Sequence, residues 1–358
     1  MPISVMLKPA SSNCNLDCSY CFYHSLASER NEFSKGMMTT QTAHRVIDSA
    51  FDFAQGSDVY FTFQGGEPLL CPLEFFEDFV SYAKDNNSQN SQIHYCLQTN
   101  GTLITKEHAK FFYNNGFLVG VSLDGDRETN SYRVYYDGKE SFDDVVKGIE
   151  LLKEYKVTFN VLSVLTKNTA LNFRQAYRFF KENNLRYLQF IPALRPLKSE
   201  YDENMFMSCE DYAYFLKRGF NIYYNDCLRG DYVSIRSFDN YVSLAQNGRA
   251  EQCGMNGTCS TQFVVEGDGS VYPCDFYCTD EWYLANISDT SFKEMYNMPK
   301  TVEFLKDSFK LDEECKSCDY FYLCRGGGCK RNRQDKNYCD AYKEFFSSSE
   351  YKIMNLKK

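Results

Sequence analysis

The sequence predicts an α/β fold: a partial (β/α)6 barrel of parallel strands, followed by a smaller cysteine-rich domain. Three observations carry this. Up to about residue 200, six short β-rich runs alternate with helical patterns at ~30 residues per repeat. Such alternation marks parallel strands joined by right-handed helical crossovers. The unusual residues of this part sit where the β-rich runs end, and strand C-termini form the working mouth of such folds. From Cys253 onward the periodicity gives way to cysteine, glycine and short turns. Six repeats are too few to close an eight-stranded barrel, so the sheet is expected to stay open with a wide mouth. We place the boundary near residue 240, with the barrel and its linker helices over 1–239 and the cysteine-rich domain with a C-terminal helix over 240–358.

Each element has its own signal. Val5-Met-Leu-Lys8 reads as a strand leading into the first cysteine loop. Thr39 to Phe53 reads as a helix, with Ala43, Val46, Ile47 and Ala50 on one face. Asp58 to Gln64 is a β-rich run that ends in Gly65-Gly66-Glu67-Pro68, and Leu73 to Ala83 is helical. Ile93 to Gln98 reads as a strand ending in the turn signal Thr99-Asn100-Gly101. Thr105 is an N-cap type residue opening a helix to about Asn115. Phe117 to Leu123 is a strand ending at Asp124-Gly125. Ser141 to Tyr155 is a helix, Val157 to Leu165 a strand, Leu171 to Asn183 a helix and Tyr187 to Ile191 a strand. Beyond residue 200, Cys209 to Tyr224 is helical and rich in aromatics, and Ser234 to Gln246 reads as a second helix or a linker.

Composition narrows the function. The 358 residues suffice for a large core and two units. A net charge of −9 argues against nucleic acid as the main partner. No apolar run reaches signal-peptide or transmembrane length, so a cytoplasmic location away from membranes is expected. The anomaly is sixteen cysteines against four histidines. In a reducing compartment such thiols rarely form structural disulfides, which makes metal binding the leading reading. His24, His44, His94 and His108 all precede the C-terminal cysteines, so a mixed Cys/His finger is not expected there, whereas an all-cysteine zinc site stays open.

Cys14-Asn-Leu-Asp-Cys18-Ser-Tyr-Cys21 places three thiols on one loop. Three thiolates are one short of the four that close an iron–sulfur or structural zinc site, which would leave one metal corner for substrate. This loop after the first strand, with Gly65-Gly66-Glu67-Pro68 after the second, resembles the radical S-adenosylmethionine enzymes. The resemblance implies a [4Fe–4S] cluster on Cys14, Cys18 and Cys21, whose open iron holds S-adenosylmethionine and cleaves it to a 5′-deoxyadenosyl radical. It also implies cofactor contacts from Tyr20, Gly66, Ser122, Arg133 and Leu194. Gly65 and Gly66 let a backbone approach closely, Tyr20 covers the adenine, and Arg133 pairs with the methionine carboxylate.

The C-terminal pattern of Cys253, Cys259, Gly269, Cys274, Cys315, Cys318, Cys324, Cys329 and Cys339 resembles the SPASM extension, which carries auxiliary iron–sulfur clusters. Eight thiols fully ligate two [4Fe–4S] clusters. The resemblance implies Cys253, Cys259, Cys274 and Cys329 on one, and Cys315, Cys318, Cys324 and Cys339 on the other. Cys324-Arg-Gly-Gly-Gly-Cys329 carries one residue more than the usual spacing, which its glycines can absorb as a bulge. Cys71, Cys96, Cys209, Cys227 and Cys278 are left over as small buried residues.

Lys8-Pro-Ala-Ser-Ser12, Cys21-Phe-Tyr-His24, Phe63-Gln-Gly-Gly-Glu-Pro68, Leu97-Gln-Thr-Asn-Gly101, Cys253-Gly-Met-Asn-Gly-Thr-Cys259 and Gly267 to Tyr277 resemble the anaerobic sulfatase-maturating enzymes. The resemblance implies oxidation of a Cys or Ser in an unfolded or nascent sulfatase polypeptide to Cα-formylglycine. It implies three [4Fe–4S] clusters, S-adenosylmethionine and an electron donor such as flavodoxin or ferredoxin. It also implies Asp275 as the base and Tyr23 and Gln64 against the peptide. A carboxylate beside a ligand cysteine and next to Phe276 and Tyr277 would be partly desolvated, as a general base requires. Two other readings share parts of this pattern. One is a related enzyme that crosslinks or epimerises a ribosomal peptide; the other is a zinc or electron-carrier protein with no catalysis.

Overall fold

Six parallel strands follow one another both in sequence and in space: β1 (Ile3–Leu7), β2 (Val59–Phe63), β3 (Ile93–Thr99), β4 (Leu118–Ser122), β5 (Thr158–Leu165) and β6 (Tyr187–Pro192). The computed structural model describes residues 1–196, 201–333 and 338–356. Consecutive order with crossovers of one hand lays the helices on one face and curls the sheet toward a barrel. The helices are α1 (Phe22–Ser28), α2 (Thr40–Ala54), α3 (Leu73–Asp85), α4 (Lys106–Asn114), α5 (Phe142–Glu154), α6 (Lys167–Leu171) and α7 (Phe173–Glu182). Those expected from the sequence lie within two residues of it, and side-chain caps set the starts of α2 and α4. Thr39 Oγ1 accepts from Thr42 N at 3.1 Å, and Thr105 and His108 form a reciprocal capping box.

Two expectations are refined. The helix expected over Leu171 to Asn183 is α7, and Leu171 itself closes a short preceding helix, α6. Thr166 caps α6 through Thr169 N, and the chain re-starts at Asn172, whose Nδ2 donates to Asn168 O at 3.1 Å. A local side-chain bond there competes with the helical ladder. Ser234 to Gln246 is both strand and helix: β7 (Ser234–Ile235) pairs with β6, and α8 (Cys209–Leu228) and α9 (Arg236–Ala245) lie before and after it as packed layers on that edge.

The C-terminal part shares the barrel's sheet. β8 (Phe263–Val265) pairs in parallel with β1, β9 (Ser270–Tyr272) pairs antiparallel with β8, and β10 (Ala285–Asn286) closes that side. The pairing covers the edge of β1, whose backbone groups would otherwise lie unpaired. It also sets Lys8 and Glu266, the residues after β1 and β8, side by side, and Lys8 N donates to Val265 O at 2.8 Å.

The core is aromatic where the helices meet the sheet. Phe61 and Phe63 of β2 are fully buried and pack edge-on to Phe79 of α3, with ring centroids 5.0 Å apart in both pairs. Such pairs add ~1 kcal/mol each beyond burial. The C-terminal helix Cys339–Asn355 lies along α8, with Phe345 against Phe220 at 5.5 Å.

Candidate active site

The cysteine loop is clamped from β2. Gly65 has φ +127°, a conformation that favours glycine. Gly66 N donates to Ser11 O and Glu67 N to Asn13 O, both at 2.8 Å. The two glycines therefore admit the loop's own backbone. Glu67 is fully buried and ties this clamp to β3: Oε1 accepts from Thr99 Oγ1 at 2.7 Å and Oε2 from Asn100 N at 2.7 Å. Burial pushes its carboxyl up to about 7, against the pull of those donors.

Cys14, Cys18 and Cys21 are free thiols on this loop. Cys14 Sγ accepts from Leu16 N and Cys21 Sγ from His24 N, each at 3.4 Å, so Cys21 also caps α1. Burial pushes Cys14 up to about 11 and Cys18 to about 12, and the neighbouring sulfurs of the same loop add to it. Three such thiols facing one another suit a multi-iron cluster, whose positive irons stabilise the thiolates. Among the described residues no three Cys, His, Asp or Glu side chains converge as ligands of a single metal ion. In a four-iron cluster each thiolate sits on a different iron, so its ligands stand farther apart.

Around the mouth, the expected cofactor contacts fall into two groups. Tyr20, Arg133 and the buried Asp124 form one unit. Arg133 grips Asp124 with Nε to Oδ2 at 2.9 Å and Nη2 to Oδ1 at 3.1 Å, Tyr20 OH donates to Asp124 Oδ2, and Val164 N donates to Asp124 Oδ1 at 2.7 Å. The guanidinium expected to meet a carboxylate of the cofactor thus holds a carboxylate of the chain. Ser122 Oγ accepts from Gln98 Nε2 at 3.0 Å. Leu194, just past β6, lines a small cleft with Phe22, Leu26 and Phe276. Phe276 follows Asp275, so the cofactor side and the expected base meet there.

Asp275 opens a three-residue turn, Asp275–Tyr277, and is 5% exposed. Its Oδ2 accepts from Gln64 Nε2 at 2.9 Å, and its Oδ1 lies 2.5 Å from Lys8 Nζ. Tyr23 is buried, and its hydroxyl donates to Glu266 Oε1. Arg30 Nη1 donates to the same oxygen at 2.7 Å, and Ser11 Oγ donates to Oε2 at 2.7 Å. Two buried cations are thus balanced by two buried carboxylates, as such charges require.

The C-terminal thiols have one another as neighbours. Gly254 packs so tightly on Cys329 that a Cβ would lie 2.6 Å from its Cα, which joins the loop of Cys253 to that of Cys329. Burial raises Cys253 to about 11, with Cys329 and Cys259 adding to it, and raises Cys274 with Cys329 and Cys253 adding. Burial likewise raises Cys324 to about 11, and Cys339 and Cys315 add to that. For Cys339, burial is joined by Cys315 and Cys318. Arg325, Gly326, Gly327 and Gly328 all take positive φ, and Gly327 N returns to Cys324 O at 3.1 Å. This left-handed run takes up the extra residue before Cys329.

Lys8, Arg30 and Glu266 carry no site role in the sequence reading, and Glu67 and Asp124 stand there only as strand-end residues of the mouth. The usable signal was positional: Lys8 and Glu266 are the first charged residues after fully apolar runs, and Asp124 closes another. A charge in line with a buried strand needs a buried partner.

The comparisons agree with this geometry. The Radical SAM superfamily profile matches residues 9–180, and that of an iron–sulfur cluster-binding domain, SPASM, matches 253–319. A cysteine-type anaerobic sulfatase-maturating enzyme of Clostridium perfringens is 47% identical over 99% of this chain and 98% of its own. A serine-type enzyme of Bacteroides thetaiotaomicron is 32% identical over 96% of this chain and 89% of its own. The solved structure "Native anSMEcpe with bound AdoMet" superposes with a TM-score of 0.93 at 46% identity, covering 99% of both chains. A second, "Native anSMEcpe with bound AdoMet and Cp18Cys peptide", gives 0.92 at 45% identity over 99% of this chain and 98% of that one. The chain, with its thiol-lined barrel mouth and its second field of cysteines, belongs to the anaerobic sulfatase-maturating enzymes of the radical SAM superfamily.

Proposed function

We propose that this protein oxidises a cysteine side chain of a sulfatase-derived polypeptide to Cα-formylglycine. One observation carries the reading: Asp275 stands between the two cysteine fields, its backbone next to Cys274 and its Oδ2 on Gln64, the residue before Gly65 and Gly66 of the loop clamp. A base so placed faces a peptide entering the mouth from the cofactor side. The cysteine-type relatives, more similar to this chain than the serine-type ones, favour cysteine as the substrate.

When bound, the N-terminal cluster and S-adenosylmethionine supply a carbon-centred radical that takes a hydrogen atom from the substrate Cβ. The chain's residues do the rest. Asp275 takes the thiol proton, and clusters held by the C-terminal cysteines would supply an acceptor for the one electron the substrate gives up. A C=S bond forms, and water converts the thioaldehyde to the aldehyde with release of hydrogen sulfide. Tyr23 and Gln64 border the peptide, while Tyr20, Gly66, Ser122, Arg133 and Leu194 shape the cofactor's place. The eleven thiols named above would hold three [4Fe–4S] clusters, and a carrier such as flavodoxin or ferredoxin would supply the electron. We assign the division of the chain to α9, the helix that carries residue 240.

Anaerobic incubation with S-adenosylmethionine, a reductant and sulfatase-motif peptides bearing Cys or Ser tests this. The expected result is aldehyde on the Cys peptide and 5′-deoxyadenosine in equal amount. Deoxyadenosine without aldehyde would transfer the chain to peptide crosslinking or epimerisation. Asp275→Asn is expected to retain cofactor cleavage and lose aldehyde.

A further inference from the structure

Lys8 is not among the residues assigned above to clusters or cofactor, yet it is a buried and tightly held cation of the site. It is fully buried, with its ammonium 2.5 Å from Asp275 Oδ1 and 3.2 Å from the centroid of the Tyr23 ring. Burial works against its charge, but Asp275 and Glu266 more than offset that, and its proton is held more tightly than usual. Its backbone is fixed as well, since Lys8 N donates to Val265 O at 2.8 Å.

We propose that Lys8 is a positioning residue that locks the Asp275 carboxylate and the Tyr23 ring into one orientation, so that the substrate side chain meets the base at a single angle. The proposal rests on the functional reading above. Asp275 needs such a hold, because its three-residue turn has no side-chain cap, and Gln64 grips only one of its oxygens. Lys8 grips the other and touches the ring at the same time. Tyr23 is in turn tethered to Glu266 Oε1, which Arg30 shares, while Ser11 holds Oε2. The lock therefore joins the end of β1, α1 and the turn after β9 across the two halves of the chain. A misplacement of ~1 Å at such a base costs on the order of a hundredfold in rate.

Lys8→Met keeps the unbranched shape of the side chain, one atom shorter, and removes its charge. We expect the aldehyde formed per deoxyadenosine to fall about tenfold or more and the peptide KM to rise, with iron content at the wild-type level. A purely structural role would lower both products together with the iron. The second measurement needs no substrate: anaerobic melting of Lys8→Met, Asp275→Asn and the double variant, with non-additive shifts expected. An aldehyde ratio within about twofold of wild type, or additive melting shifts, overturns the proposal. If wild-type protein forms deoxyadenosine but no aldehyde, the functional reading fails, and the melting comparison decides the Lys8–Asp275 lock by itself.

Discussion

Gly66 lies so close to Asn13 that a Cβ on it would fall 2.0 Å from the Asn13 carbonyl oxygen. Asn13 directly precedes Cys14, so this contact sets where the loop of three thiols begins. Gly66→Ala is expected to push the loop away. Iron should fall from about twelve to about eight per chain, one cluster's worth, and cofactor cleavage should be lost. Full iron content with only S-adenosylmethionine binding lost would move the role of this glycine to the ligand.

Arg133 and Asp124 form a buried bidentate pair, with Arg133 5% exposed and Asp124 fully buried. Removing one partner leaves an uncompensated charge, so Arg133→Met should cost about 3 kcal/mol in anaerobic unfolding. Adding Asp124→Asn should recover much of that loss. A single variant as stable as wild type would mean that Arg133 serves the cofactor alone.

The two C-terminal thiol sets can be separated by additivity. Cys253→Ala and Cys259→Ala fall in one set, so each alone and both together should remove the same four or so irons. Cys253→Ala with Cys315→Ala should remove about eight. Iron and sulfide analysis after anaerobic purification reads this directly.

Glu67 makes stability depend on pH near neutrality. Its folded value of about 7 lies above that of an unfolded glutamate. Its contribution is therefore complete at pH below the unfolded value and is lost as pH rises through about 7. Melting temperature should decline between pH ~5 and ~7 and level off above that, and the decline should flatten in Glu67→Gln. An unchanged slope in the variant would assign the dependence to other groups.

What the chain order alone determined is what depends on local spacing. Three thiols within one loop, the later cysteines, the strand–helix alternation and the cap at Thr105 are all short-range features, and the order of residues is enough to show them. The break at Asn172 is not of this kind, because one side-chain bond decides it. Nor is β8, since Phe263–Val265 is too short to show a period and becomes a strand only by completing the edge of β1. Tertiary structure also decided the partners. Arg133 met Asp124, Gly66 met Asn13, and Lys8 met Asp275, because side chains apart in the chain are brought into contact only by the order of strands in the sheet and the loops that follow them. Local spacing names the atoms that can hold iron; which charges face each other across the mouth is settled by packing, where each buried ion must find its opposite.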